Sequence, residues 1–184
     1  TKLSDNQKIE IDSYINQTEI INKSKIREFV NSLSNNIYHL DFETYQSAVP
    51  PFNGLKPYQQ IPFQYSAHYE NNGTIEHCEF LADPSHDSRE AFVKALINDM
   101  NKEGDILVYN IGFERGRLNE LIRILPKYKA QLESIIDRMK DLMIPFKEKW
   151  YYVPAMKGSY SIKYVLPALV PSLSYDNLEI NNGS

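Results

Sequence analysis

The sequence predicts an α/β fold: a mixed sheet, made of an antiparallel three-stranded meander plus a parallel strand, flanked by helices. Three observations predict it. Residues 37–43 and 63–70 alternate apolar and polar side chains with the two-residue period of half-buried strands. Asn71-Asn72-Gly73 between the second strand and Ile75–Leu81 is a tight hairpin signal. A helical apolar stripe (Phe92, Val93, Leu96, Ile97, Met100) then separates these strands from Ile106-Leu107-Val108-Tyr109. A helix between two strands implies a crossover, so this strand should run parallel to the first.

The remaining elements follow in order. Residues 1–23 are polar and weakly patterned, which predicts a loose lead-in with at most one helical turn. A domain over 24–184 follows, starting with a helix capped by Ser24, with Ile26, Phe29, Val30 and Leu33 inward. Residues 45–61 carry Pro50, Pro51, Gly54 and Pro57 and predict a long loop leaving the first strand. Asp87 with Glu90 has capping-box spacing before the crossover helix. After Tyr109 a helix carries Leu118, Leu121, Ile122 and Leu125 inward. Another, opened by Pro126, buries Leu132, Ile135, Ile136 and Met139, and Asp141 reads as a helix-end or turn residue. A short helix is expected over 164–170, capped by Ser159 or Ser161.

The chain has 184 residues, 42% hydrophobic and 12% aromatic, enough for a real core and against disorder. Net charge is −4 but uneven: −8 over 1–114, +6 over 115–163 and −2 over 164–184. The chain as a whole is therefore no basic nucleic-acid coat, yet a basic segment follows an acidic one. That pattern suits an acidic pocket beside a phosphate-binding rim, and equally a lysine-rich solvated helix. Cys78 is the one cysteine, so no internal disulfide forms and a reducing, cytoplasmic location is expected. No apolar run approaches the roughly 18 residues of a membrane span.

The chemistry centres on Tyr38-His39-Leu40-Asp41-Phe42-Glu43-Thr44. Asp41 and Glu43 share a strand face, roughly 6–7 Å apart by strand rise. Two acids so placed repel and resist ionisation unless a cation stands between them. Glu114 lies four residues before Leu118, at the start of that helix's apolar stripe, and Asn110 sits just before it. Parallel strands end at one sheet edge, so Glu114 converges on Asp41 and Glu43. Three hard oxygen donors favour Mg²⁺ or Mn²⁺. Tyr45, Phe52 and Tyr58 in the following loop could stack on bases or only pin the loop to the core.

Asp41-x-Glu43 followed by Asn110-x-x-Phe113-Glu114 resembles the first two motifs of the DEDD-type 3′–5′ exonucleases, of ribonuclease H-like fold. The chain from about Ile37 to Gly183 is also similar to an uncharacterised bacterial domain family assigned to the same superfamily. Tyr38-x-Leu40-Asp41-Phe42-Glu43-Thr44, 57–64, Tyr109-Asn110-x-x-Phe113-Glu114-x-Gly116-Arg117-Leu118, Asp141-Leu142 and 158–163 carry that similarity. The resemblance implies a two-ion Mg²⁺ or Mn²⁺ site with Asp41, Glu43 and Glu114 as catalytic metal ligands. It implies substrate contacts from Thr44, Tyr45, Asn110, Phe113, Arg117 and Lys163, and a nucleic acid, DNA or RNA, with a free 3′ end. Glu114 stands where those exonucleases usually carry Asp. Their third motif, Tyr or His with Asp four residues later, has no counterpart here; Tyr175 with Glu179 has the spacing but sits upstream of where that motif belongs. The expectation is therefore a domain truncated at its C-terminal end, weak or inactive by itself, with a further nuclease-like domain in the full-length protein. The alternative is a non-catalytic nucleic-acid-binding or regulatory domain of a larger nuclease.

Overall fold

The computed structural model describes residues 2–173, and the elements below are those of the described residues. In chain order they are α1 (Asp5–Asn16), β1 (Ile20–Ile21), α2 (Lys23–Asn31), β2 (Ile37–Tyr45), β3 (Ile61–Asn71), β4 (Thr74–Leu81), α3 (Arg89–Asp99), β5 (Asp105–Val108), α4 (Ile111–Ile124), α5 (Lys129–Asp137), β6 (Met139–Asp141), α6 (Ile144–Lys147), β7 (Tyr151–Tyr152) and α7 (Ile162–Leu169). They form two compact units: residues 34–141, and residues 2–33 with 142–173.

Residues 34–141 are an α/β layer built on a mixed five-stranded sheet, order β4-β3-β2-β5-β6. β2, β3 and β4 form the expected antiparallel meander. Asn72 and Gly73 take positive φ in the hairpin turn, the conformation for which Asn-Gly is favoured. β5 pairs parallel to β2 and β6 parallel to β5. Tyr38, Leu40 and Phe42 are buried while His39, Asp41 and Glu43 are exposed, as strand alternation requires.

The core lies between the buried sheet face and the helices. Phe92 of α3 is its hub, edge-on to Phe42 and Tyr65 at 5.4 Å each and to Phe80 at 5.6 Å. Leu118 and Leu121 of α4 and Leu132 and Ile135 of α5 complete it. Emptying the Phe92 position would cost about 3–5 kcal/mol by lost burial and cavity formation.

β6 corrects the sequence reading. The helical spacing of Leu132, Ile135, Ile136 and Met139 continues past Asp137, but the helix stops there and Met139–Asp141 pairs with β5. Backbone pairing against a parallel neighbour overrides a short helical pattern. Ser24 is not the cap of α2: Asn22 is, its Oδ1 accepting from Lys25 N at 3.1 Å. Asp87 does not cap α3, whose N-cap is Ser88; it grips Arg89 instead. Ser161 is the N-cap of α7, without a side-chain cap bond.

In the other unit, β1 and β7 pair antiparallel. Tyr152, Met156 and Val165 form its small core. The loose lead-in expected over 1–23 is in fact the twelve-residue α1, closed by a capping box between Ser4 and Gln7. Glu10 of α1 pairs with the buried Lys149 ammonium at 2.8 Å, which also lies 4.5 Å from the Tyr152 ring. These contacts hold α1 in place despite its polar surface. No helix among the described residues is long and apolar enough to cross a membrane.

Candidate functional site

The carboxyl ends of β2, β5 and β6 open at one edge of the sheet. Asp41 and Glu43 come from the exposed face of β2. β5 ends at Val108, the chain turns through Asn110 in the left-handed region (φ 74°), and α4 begins at Ile111. Glu114, in the first turn of α4, is 1% exposed. Asp141, the last residue of β6, is buried too, and its Oδ1 accepts from Asn110 N at 3.0 Å. The turn that presents Glu114 is thus held by an acid from the neighbouring strand.

The electrostatics bind these acids into one group. Burial first, and then the charges of Asp41 and Asp141, push the Glu114 carboxyl up to about 8. Asp41 is raised by desolvation. Glu43 is raised by desolvation and then by Asp41. Glu114 Oε2 is buried and has no hydrogen-bond partner. A buried carboxylate oxygen without a donor is costly, and a nearby cation or proton removes the cost.

The expected substrate-contact residues divide. Thr44 and Tyr45 follow Glu43 at the end of β2, half-buried. Asn110 caps the site through its backbone. Its side chain makes no cap bond. Phe113 packs against the core, with the Arg117 guanidinium 5.7 Å from its ring centre. Arg117 is engaged by Gln60 and by Glu120 at 3.0 Å, so its hydrogen bonds hold the 57–64 segment to α4. Lys163 is exposed on α7 in the other unit. Tyr175 and Glu179 lie outside the described residues.

Asp141 is the member that sequence reasoning missed as part of the acid group. Its signal was present: an acid ending a short apolar-polar run just after a helix, as Asp41 and Glu43 end theirs. Among the described residues no three acidic, histidine or cysteine side chains stand close enough to form a ready metal-ligand set. The donors nevertheless fit a hard divalent cation in kind: carboxylates, one with an unpartnered buried oxygen.

Residues 38–161 match the family described as a domain of unknown function, DUF2779. The chain belongs to this family. All four acids fall inside the matched segment. The chain is also similar to an uncharacterised protein of Ureaplasma parvum serovar 3, UU173, with 28% identity over 192 residues. That alignment covers 92% of this chain and 28% of the relative, so the chain spans little more than a quarter of that protein's length. No solved structure matches the chain.

Proposed function

We propose that this domain is a metal-dependent 3′–5′ exonuclease of ribonuclease H-like fold, acting on the phosphodiester bonds of DNA or RNA. The observation that carries the reading is Glu114: a 1%-exposed carboxylate with an unpartnered oxygen, coupled to Asp41 and Asp141 at the open edge of a parallel strand set. The order β4-β3-β2-β5-β6, with three antiparallel strands followed by two parallel ones, supports the ribonuclease H-like assignment. So do the motif Asp41-x-Glu43 on the first strand of that sheet and the motif ending in Glu114 after β5.

In this reading Asp41, Glu43 and Glu114 hold Mg²⁺ or Mn²⁺, after side-chain adjustment that brings their oxygens together. When bound, the cation would polarise the phosphoryl group and ease deprotonation of water. Glu114 must give up its proton to ligate. Asp141 keeps the Asn110 turn in register, and that turn sets where α4 presents Glu114. The substrate's terminal nucleotide would meet Thr44 and Tyr45, which continue β2 beyond Glu43.

The test uses the natural full-length protein with end-labelled single strands in Mn²⁺. The reading predicts stepwise shortening from the 3′ end and its loss in Asp41→Ala. Intact strands with metal binding retained would sink it. The alternative reading is a non-catalytic nucleic-acid-binding domain of a larger nuclease. That reading predicts strand binding that survives Asp41→Ala and weakens with salt.

A further inference from the structure

The open face of the sheet carries a second cluster, one that involves neither Glu114 nor Asp141. Strand pairing sets His39 of β2 opposite His68 of β3, and His68 opposite His77 of β4. Three of the chain's four histidines therefore stand side by side across three strands, on the face turned away from the core. All three are exposed. The same face carries the carboxylates of Asp41, Glu43, Glu70 and Glu79, and β2, β3 and β4 contain no lysine or arginine. The charge of this face favours a cation.

The centre of the row is the pair on the β3–β4 hairpin. The His68 and His77 rings stack with 4.5 Å between centres and 26° between planes. His77 Nε2 has Ser66 Oγ 3.2 Å away and Glu79 Oε2 3.9 Å away. Glu79 faces Ser66 in the next row of the sheet. His39 is engaged elsewhere, its Nε2 lying 3.4 Å from Glu70 Oε2. Two imidazoles and a carboxylate therefore meet around His77, although they form no closed ligand set as they stand. A tetrahedral zinc ion, with bonds of about 2 Å, spaces its ligand atoms roughly 3.3 Å apart. His77 and Glu79 need to approach by only about half an ångström to reach that spacing. Their side chains are 44% and 70% exposed, so small rotations suffice.

We propose that His68 and His77 bind Zn²⁺, with Glu79 as the third ligand and water in the fourth position. The donor chemistry selects the metal. Imidazole suits zinc, whereas the all-carboxylate group at the strand ends suits Mg²⁺ or Mn²⁺. The two sites therefore take different ions, and the histidine site does not rest on the nuclease reading. β4 is the outer strand of the sheet and pairs with β3 alone. An ion held by one histidine from each of these strands fastens that outer strand to its neighbour, and because it binds the folded state it stabilises the domain.

The experiment titrates Zn²⁺ calorimetrically into the protein and its variants, with excess Mg²⁺ competing for the carboxylates at the strand ends. The expected result is a single zinc ion bound in the micromolar range, as tightly by Asp41→Ala as by wild type. His68→Gln and His77→Gln each weaken binding by about tenfold or more, a loss that even groups standing behind a metal's ligands can cause. Glu79→Gln weakens it by a smaller factor. His39→Gln and His86→Gln leave it unchanged. Nitrogen-15 spectra of the histidine rings give a second readout on the unmutated protein: the His68 and His77 signals move as zinc is added, and those of His86 stay. No zinc binding in that range, ring signals of His68 and His77 that stay in place, or an affinity that survives His77→Gln overturns the proposal. Binding lost in Asp41→Ala and kept in His68→Gln assigns the zinc to the carboxylates and overturns it as well.

Discussion

The two edges of the central sheet carry similar residues and treat them oppositely. At the edge where β5 begins, Asp105 and Arg138 are both answered. The Asp105 carboxylate accepts from Ser34 N at 2.7 Å, and Asp105 N donates to Ser34 Oγ at 2.7 Å. Arg138 donates to the carbonyls of Met100, Lys102 and Gly104 at 2.6, 2.7 and 3.2 Å. At the opposite edge, where β2, β5 and β6 end, Glu114 is buried with an oxygen unanswered, and the charges of Asp41 and Asp141 raise its proton affinity. Charge at a strand end is therefore not the functional signal. Unmet demand is. The first edge is satisfied within the chain, and the second is where we propose that a cation binds.

Substitutions at the two edges should separate accordingly. The largest effect is expected from Asp41→Ala in the full-length protein: a loss of Mn²⁺-dependent strand cleavage of about 10³-fold, or ~4 kcal/mol of transition-state stabilisation, with little change in melting. Next, Arg138→Ala should cost roughly 2–3 kcal/mol of stability, since it strips three carbonyls of a charged donor, and should leave any response to metal unchanged. A denaturant titration with and without Mn²⁺ reads both. If Arg138→Ala abolishes the metal response, the division between the edges is wrong.

Glu114→Gln should act in the opposite sense. The folded-state pKa of Glu114 is about 8 against an ordinary value of 4.5. Between those values the folded state holds a proton that the unfolded chain releases, so stability falls as pH rises through that window and levels off above it. The amide carries no charge to bury. Glu114→Gln should therefore raise the metal-free melting temperature at pH 8 by about 3–6 °C, with a much smaller change at pH 4.5. The smallest effect is expected from Asp141→Ala, about 0.5–1.5 kcal/mol from the lost Asn110 hydrogen bond. Its melting temperature should shift modestly while its metal response drops, because the turn presenting Glu114 loosens.

Much of the sheet was legible in the sequence because its first strands obey local rules. The alternation of 37–43, the Asn-Asn-Gly turn and the crossover helix each announce themselves. Asp41, Glu43 and Glu114 were legible for the same reason: a strand face and a helix stripe are periodic, and an acid out of pattern stands out. Asp141 was not, because Met139 extends the helical spacing of α5 and only pairing with β5 turns that segment into a strand. α1 was missed for the lack of an apolar stripe; Ser4-x-x-Gln7 was its one visible mark, and its anchor, Lys149, is far away in sequence. The unpartnered Nη1 of Arg89 could not be read from the chain at all, since it depends on how Asp87 and the Asn53 carbonyl meet one guanidinium.

The most direct test of the unmet edge is calorimetric titration of Mn²⁺ into the wild-type protein and Glu114→Gln at pH 6.5 and 8.5, in two buffers of different ionisation enthalpy. The account predicts that wild type binds more tightly at pH 8.5, that binding at pH 6.5 releases close to one proton, and that Glu114→Gln binds weakly at both pH values without that release. Binding of equal strength in the two proteins, or binding at pH 6.5 with no proton released, would contradict it.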